Sequence, residues 1–180
     1  MNIMNTYTGK QFDPMQITPD DVCLEDIAHA LSLLCRGGGQ LLWFYSVGQH
    51  SVNCAREAAA RGWSRRMVLA CLLHDASEAY ISDIIRPVKI HLANYLEIES
   101  KIMNVILEKF GLEDLNPEEN SLWKQIDDEM LDHELKRLLP GEKNRNPAPL
   151  KSEPDFSERP VREVETEFLH MAEKYRDPRF

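Results

Sequence analysis

Apolar positions recur every three to four residues along most of this 180-residue chain, and the strict alternation of a strand is almost absent. In "VCLEDIAHALSLLCR" (22–36), Leu24, Ile27, Ala28, Leu31 and Leu34 make one helical stripe. Asp20 or Asp21 is placed to cap it, and Gly37, Gly38 and Gly39 to end it. Ser46 opens "VGQHSVNCAREAAAR" (47–61), closed by Gly62. Ser64 opens "RRMVLACLLHDASEAY" (65–80), nearly apolar all round as far as Leu73, which predicts a central helix. Pro87 suits the first turn of a short helix. "YLEIESKIMNVILEKF" (95–110) is amphipathic and ends at Gly111. Asn116 and Pro117 open "EENSLWKQIDDEMLDHELKRLL" (118–139), stopped by Pro140 and Gly141.

The remaining stretches read as connections. Residues 140–160 hold five prolines and predict a long surface loop, followed by a last helix from about Ser157 through "VREVETEFLHMAEKY". Residues 1–19, with Pro14 and Pro19, predict an irregular arm, and "LLWFY" (41–45) fits a short extended segment or a packing loop equally well. The expected fold is therefore all-α: one domain over 1–180, a bundle of about six to seven helices. Its core spans about 20–139, with the loop at 140–160 and a C-terminal helix at 161–176.

Composition narrows the functional classes. An apolar fraction of 43% fits a globular chain, and a net charge of −9 argues against a general binder of nucleic-acid polymers. It leaves room for a small phosphorylated ligand, whose local field a bound cation and a few basic residues can set. Cys23, Cys35, Cys54 and Cys71 form no CxxC pair and fit reduced thiols. The first twenty residues lack a signal-peptide pattern, and no apolar run reaches the roughly 20 residues of a bilayer span. A soluble, cytoplasmic protein without a membrane partner is expected.

Chemistry concentrates at the end of the most apolar segment, "LACLLHDASEAYISDIIRPVK" (69–89). His74 and Asp75 stand side by side where an unpaired carboxylate would be costly, so a cation is the economical partner. His50 lies early in the preceding helix. Asp127, or its neighbour Asp128, lies beside the stripe of Trp123, Ile126, Met130 and Leu131. Glu78 follows His74 by one helical turn. His29, His91, His133 and His170 join no converging set.

The ordered pattern His50, His74–Asp75, Asp127 resembles the HD-domain metal-dependent phosphohydrolases, and "HDASEAYISDIIRPVK" resembles the HDxSE…D…PVK run of their 5′-deoxyribonucleotidase branch. "KQIDD" is similar to the segment supplying the last metal Asp, and the likeness covers roughly residues 24–139. It implies that His50, His74, Asp75 and Asp127 hold one divalent ion, whether Mn, Co, Mg, Fe, Ni or Zn. It also implies that Glu78 handles protons, with Asp83 supporting it or touching the sugar. Arg36 would contact the phosphate, and Lys89 is the lysine of the PVK run. The implied activity is 5′-phosphomonoester hydrolysis of (deoxy)nucleoside monophosphates, in a homodimer. A deoxynucleoside triphosphohydrolase and a non-catalytic nucleotide sensor are the alternatives. Where that branch has Trp after its Arg, this chain has Gly37, so the sugar is left open; Trp43 or Phe44 are the nearby aromatic candidates for the same space.

Overall fold

The computed structural model describes residues 2–179. It begins with a hairpin, β1 (Met4–Asn5) antiparallel to β2 (Gln11–Phe12), where the sequence predicts an irregular arm. Two contacts fix it. Asp26 accepts from the Thr8 N–H at 2.7 Å and the Thr8 hydroxyl at 2.9 Å, and Phe12 enters the core edge-on to Tyr80.

Six long helices and two single-turn ones follow. Helix α1 (Leu24–Leu33) starts without the expected aspartate cap. Asp21 is already engaged, accepting from the Thr18 N–H and hydroxyl, and Cys23 occupies the cap position without capping a helix amide, its thiol donating to Glu25 instead. Helix α2 (Val47–Ala60) is capped by Ser46 and α3 (Arg65–Leu73) by Ser64, both as the sequence predicts. The predicted helix 65–80 is interrupted: His74 to Ser77 form turns before α4 (Glu78–Ile81). Over 76–80 the backbone bonds reach back three residues, from Ala76 to Leu73, Glu78 to Asp75 and Tyr80 to Ser77, which tightens the chain at the His-Asp pair.

Helix α5 (Arg86–Lys89) carries Pro87 in its first turn, and α6 (Ala93–Lys109) buries Ile102 and Ile106. Helix α7 (Pro117–Leu138) opens with a full capping box, Asn116 with Glu119. Helix α8 (Val161–Tyr175) starts after Pro160; Ser157 instead donates its N–H and hydroxyl to Asp155. The hub of the bundle is α2, which packs on α1, α3, α7 and α8. Eleven of its fourteen residues are buried, though its sequence is more polar than that of α3. Four of its buried polar residues are bonded: Glu57 to the strap at 151–152, Gln49 and Asn53 to the strap at 155–157, His50 to the site below; the Ser51 hydroxyl is buried without a partner among the described residues. The 140–160 segment is thus a strap tied across α2. "LLWFY" forms no strand; only the bridge between Cys35 and Ser46 joins its flanks. Among the described residues no helix is long and apolar enough to cross a membrane.

Candidate metal centre

Three elements deliver four donor atoms to one point. Helix α2 presents His50 from its first turn, the end of α3 presents His74 and Asp75, and α7 presents Asp127 from its middle. His50 Nε2 lies 3.2 Å from His74 Nε2, 3.1 Å from Asp127 Oδ1 and 3.8 Å from Asp75 Oδ2. His74 Nε2 lies 3.3 Å from Asp75 Oδ2 and 3.6 Å from Asp127 Oδ1. Donors about 2.1 Å from a shared ion stand roughly 3.0–3.5 Å apart at its polyhedron edges, so this spacing is that of a ligand shell.

The imidazoles are oriented for the same task. His74 Nδ1 donates to the Cys71 carbonyl at 2.8 Å, which turns Nε2 to the cluster. Burial opposes charge on this ring, but Asp75 and Asp127 outweigh it and raise its pKa, so a cation binding there would displace the Nε2 proton. His50 Nδ1 bonds Glu134 Oε1 at 2.6 Å, the carboxylate–histidine arrangement that fixes ring and tautomer behind a metal. The residues present therefore fit a divalent cation. His50, Cys54 and His74 likewise offer ligand atoms within 4.8 Å of one another. Cys54 Sγ, however, is 3.5 Å from His50 Nε2 and 3.9 Å from Nδ1, beside the ring rather than along the Nε2 lone pair. Asp75 Oδ2 and Asp127 Oδ1 lie within 3.8 Å of both Nε2 atoms, so two carboxylates are available to the same cluster as the thiol. Of the adjacent pair, Asp127 faces the cluster, and Asp128 is half-exposed and bonded to Arg86 at 2.8 Å.

Charge compensation in this arrangement falls to Arg36 and the histidines. Arg36 Nη1 is 3.2 Å from Asp75, Nη2 is 3.5 Å from Asp127, and Nε donates to Glu134 at 3.0 Å. Burial alone would raise Asp75 and Asp127. Neighbouring His74 outweighs it at Asp75, and hydrogen bonds from His50 and His74 outweigh it at Asp127, so both carboxyls sit far below the usual range. Glu78 behaves oppositely. Desolvation, with the charges of Asp75 and Asp83 behind it, pushes its carboxyl up to about 9. Its Oε2 is buried and makes no hydrogen bond, while Oε1 is 3.5 Å from Lys89.

The remaining predicted residues are less central. Asp83 is raised by burial and makes no hydrogen bond or ion pair among the described residues. Lys89 is tied to Glu99 at 2.5 Å and to Glu78, so it braces a carboxylate. Arg36 opens a 3-10 turn in which Gly37 has φ +64°, a left-handed backbone in which a side chain is strained. A Trp at this position would therefore be strained. Trp43 does not replace it: its Nε1 donates to the Phe156 carbonyl, and the ring lines an outer groove. The aromatic ring beside the centre is Trp123, 5.7 Å from His74. Sequence reasoning passed over Glu134, which joins Arg36, Tyr45 and His50. The available signal was its spacing of seven from Asp127, two turns along one helical face.

No family model matches the chain. The Escherichia coli K12 protein YfdR, itself uncharacterized, is 42% identical over 112 residues, covering 62% of this chain and 60% of YfdR. An uncharacterized protein of Rhodobacter capsulatus is 38% identical over 111 residues, 58% of this chain and 56% of its own. The chain therefore spans less than two thirds of the length of the curated relatives it matches.

Proposed function

We propose that this chain is a metal-dependent phosphohydrolase that cleaves the 5′-phosphomonoester of nucleoside monophosphates. The observation that carries the reading is the four-donor cluster with both imidazoles held through Nδ1. Two carboxylates and two neutral imidazoles suit a hard or borderline divalent ion with positions left over for water and a phosphoryl oxygen. A bound ion would supply charge to those oxygens and lower the pKa of its water. The likeness of "HDASEAYISDIIRPVK" to the HDxSE…PVK run supports the same chemistry.

Within that reading the chain's own groups divide the work. His50, His74, Asp75 and Asp127 hold the ion. Arg36, gripped at Nε by Glu134, keeps its two Nη groups on the cluster side to meet the phosphate. Glu78 carries an unbonded, buried oxygen three residues from Asp75, and it holds or passes the proton of the attacking water or leaving group. Lys89 positions Glu78, and the charge of Asp83 favours the protonated form of its carboxyl. The setting we propose is cytoplasmic nucleotide metabolism, with small nucleotides rather than nucleic-acid polymers as substrates.

The test is a substrate-by-metal panel: ribo- and deoxyribonucleoside mono- and triphosphates, each with Mn²⁺, Co²⁺ and Mg²⁺, in wild type and Asp75→Ala. Orthophosphate released from monophosphates by wild type, and at least 100-fold less by the variant, is expected. Tripolyphosphate released from deoxynucleoside triphosphates would move the assignment to a triphosphohydrolase. Absence of turnover throughout would overturn the reading.

A further inference from the structure

Away from the metal centre, α7 and the strap border two adjoining open concavities of about 780 and 510 Å³, which share Arg137 and Phe156 and so form one groove. We infer that this groove is a second binding site, for a nucleotide whose phosphates and base it holds at opposite ends. The inference is independent of the chemistry proposed for the metal centre.

One end is cationic. His133, Lys136 and Arg137 lie at i, i+3 and i+4 on α7 and therefore share a face, and Lys143 joins them from the strap. In a chain of net charge −9, such a cluster would be expected to find carboxylates. Here the nearby acids are taken: Arg145 pairs with Asp132 at 2.5 Å and with Glu142 at 2.7 Å. Among the described residues, Lys136, Arg137 and Lys143 pair with no carboxylate. Three unpaired cations around one concavity suit a polyphosphate.

The other end is aromatic and acidic. Trp43 and Phe156 offer ring surface, and Glu158, which also makes no ion pair among the described residues, can accept from a base amino group. This wall is already in place. Gln49 Nε2 donates to the carbonyls of Asp155 and Ser157, both at 3.0 Å, and Asn53 exchanges two bonds with Asp155. Trp43 Nε1 donates to Phe156 at 2.9 Å. His133 Nε2 bonds the Ala148 carbonyl at 2.7 Å and holds the opposite side of the strap. A site fixed by its own hydrogen bonds loses little conformational freedom on binding.

Calorimetry with ATP and with inorganic tripolyphosphate, in EDTA to prevent turnover, tests the assignment. ATP is expected to bind wild type and Arg36→Ala alike, and to bind Lys136→Ala/Arg137→Ala at least tenfold more weakly. Trp43→Leu should weaken ATP severalfold and leave tripolyphosphate unchanged. Circular dichroism establishes that each variant is folded. Equal ATP affinity in wild type and the double variant, or loss of ATP binding in Arg36→Ala, would overturn the site. Tripolyphosphate binding wild type as tightly as ATP would overturn the assignment of a nucleotide.

Discussion

Glu134 is the residue on which the centre hangs. It is buried at 3% exposure with both oxygens used, Oε1 by His50 Nδ1 and the Tyr45 hydroxyl, Oε2 by Arg36 Nε. Replacing one oxygen by an amide in Glu134→Gln keeps the shape and removes the charge that aligns the ring and Arg36. Metal affinity is expected to fall about 10- to 100-fold, the usual loss on disturbing such a partner. Titration with Mn²⁺ or Co²⁺ measures it, and unchanged affinity in a folded variant would contradict the role. This residue was hidden in the sequence for a physical reason. A glutamate in "DHELKR" looks like one more solvated charge, and only the α2–α7 packing turns it inward. His50, His74, Asp75 and Asp127 were easier to pick out, because ionisable groups beside apolar stripes need an explanation.

Among the elements, α1 and α2 approach closely at Gly48, two residues before His50. A Cβ there would lie 3.0 Å from Ser32 Oγ, 3.1 Å from the Ser32 nitrogen and 3.2 Å from the Leu31 carbonyl carbon. Two of those atoms are backbone and cannot step aside. Gly48→Ala gains about 1 kcal/mol of helix propensity, but the forced separation is expected to cost more, for a net loss of about 1–2 kcal/mol in urea unfolding. A stabilised variant would show that the helices separate freely. At the other extreme, Asn116→Ala removes a cap eleven residues before Asp127, roughly 16 Å along the helix. It should lower stability by about 1 kcal/mol and Tm by about 2–4 °C, with metal affinity intact. Caps of this kind were legible because Ser46, Ser64 and Asn116 act on amides within three residues. The start of α1 and the break after Leu73 were not, since Thr18 claims Asp21 and the turn at 74–77 serves the centre.

At the scale of the whole molecule, the bundle is closed by a strap that one buried carboxylate anchors at residues 151–152. Glu57 accepts from the Lys151 N–H at 2.9 Å, the Ser152 N–H at 2.8 Å, the Ser152 hydroxyl at 2.6 Å and Arg61 Nε at 2.7 Å. Its partners in the strap stand more than ninety residues away, a distance at which neither periodicity nor turn chemistry carries information. Burial alone would raise this carboxyl, but the hydrogen bonds outweigh it and hold the group at about 2, against an ordinary 4.5. A depressed folded-state value means that the unfolded chain binds the proton first as pH falls. The stabilisation is therefore complete above about pH 5 and is lost between there and about pH 2, with a magnitude on the order of 3 kcal/mol. Glu57→Gln should be less stable than wild type at pH 7, and the gap should narrow steadily on acidification. Urea unfolding of both proteins at pH 7, 5, 4 and 3 measures that gap. A constant difference across the series would mean that the carboxylate's charge does not hold the strap, and that the strap's amides are satisfied as well by a neutral side chain.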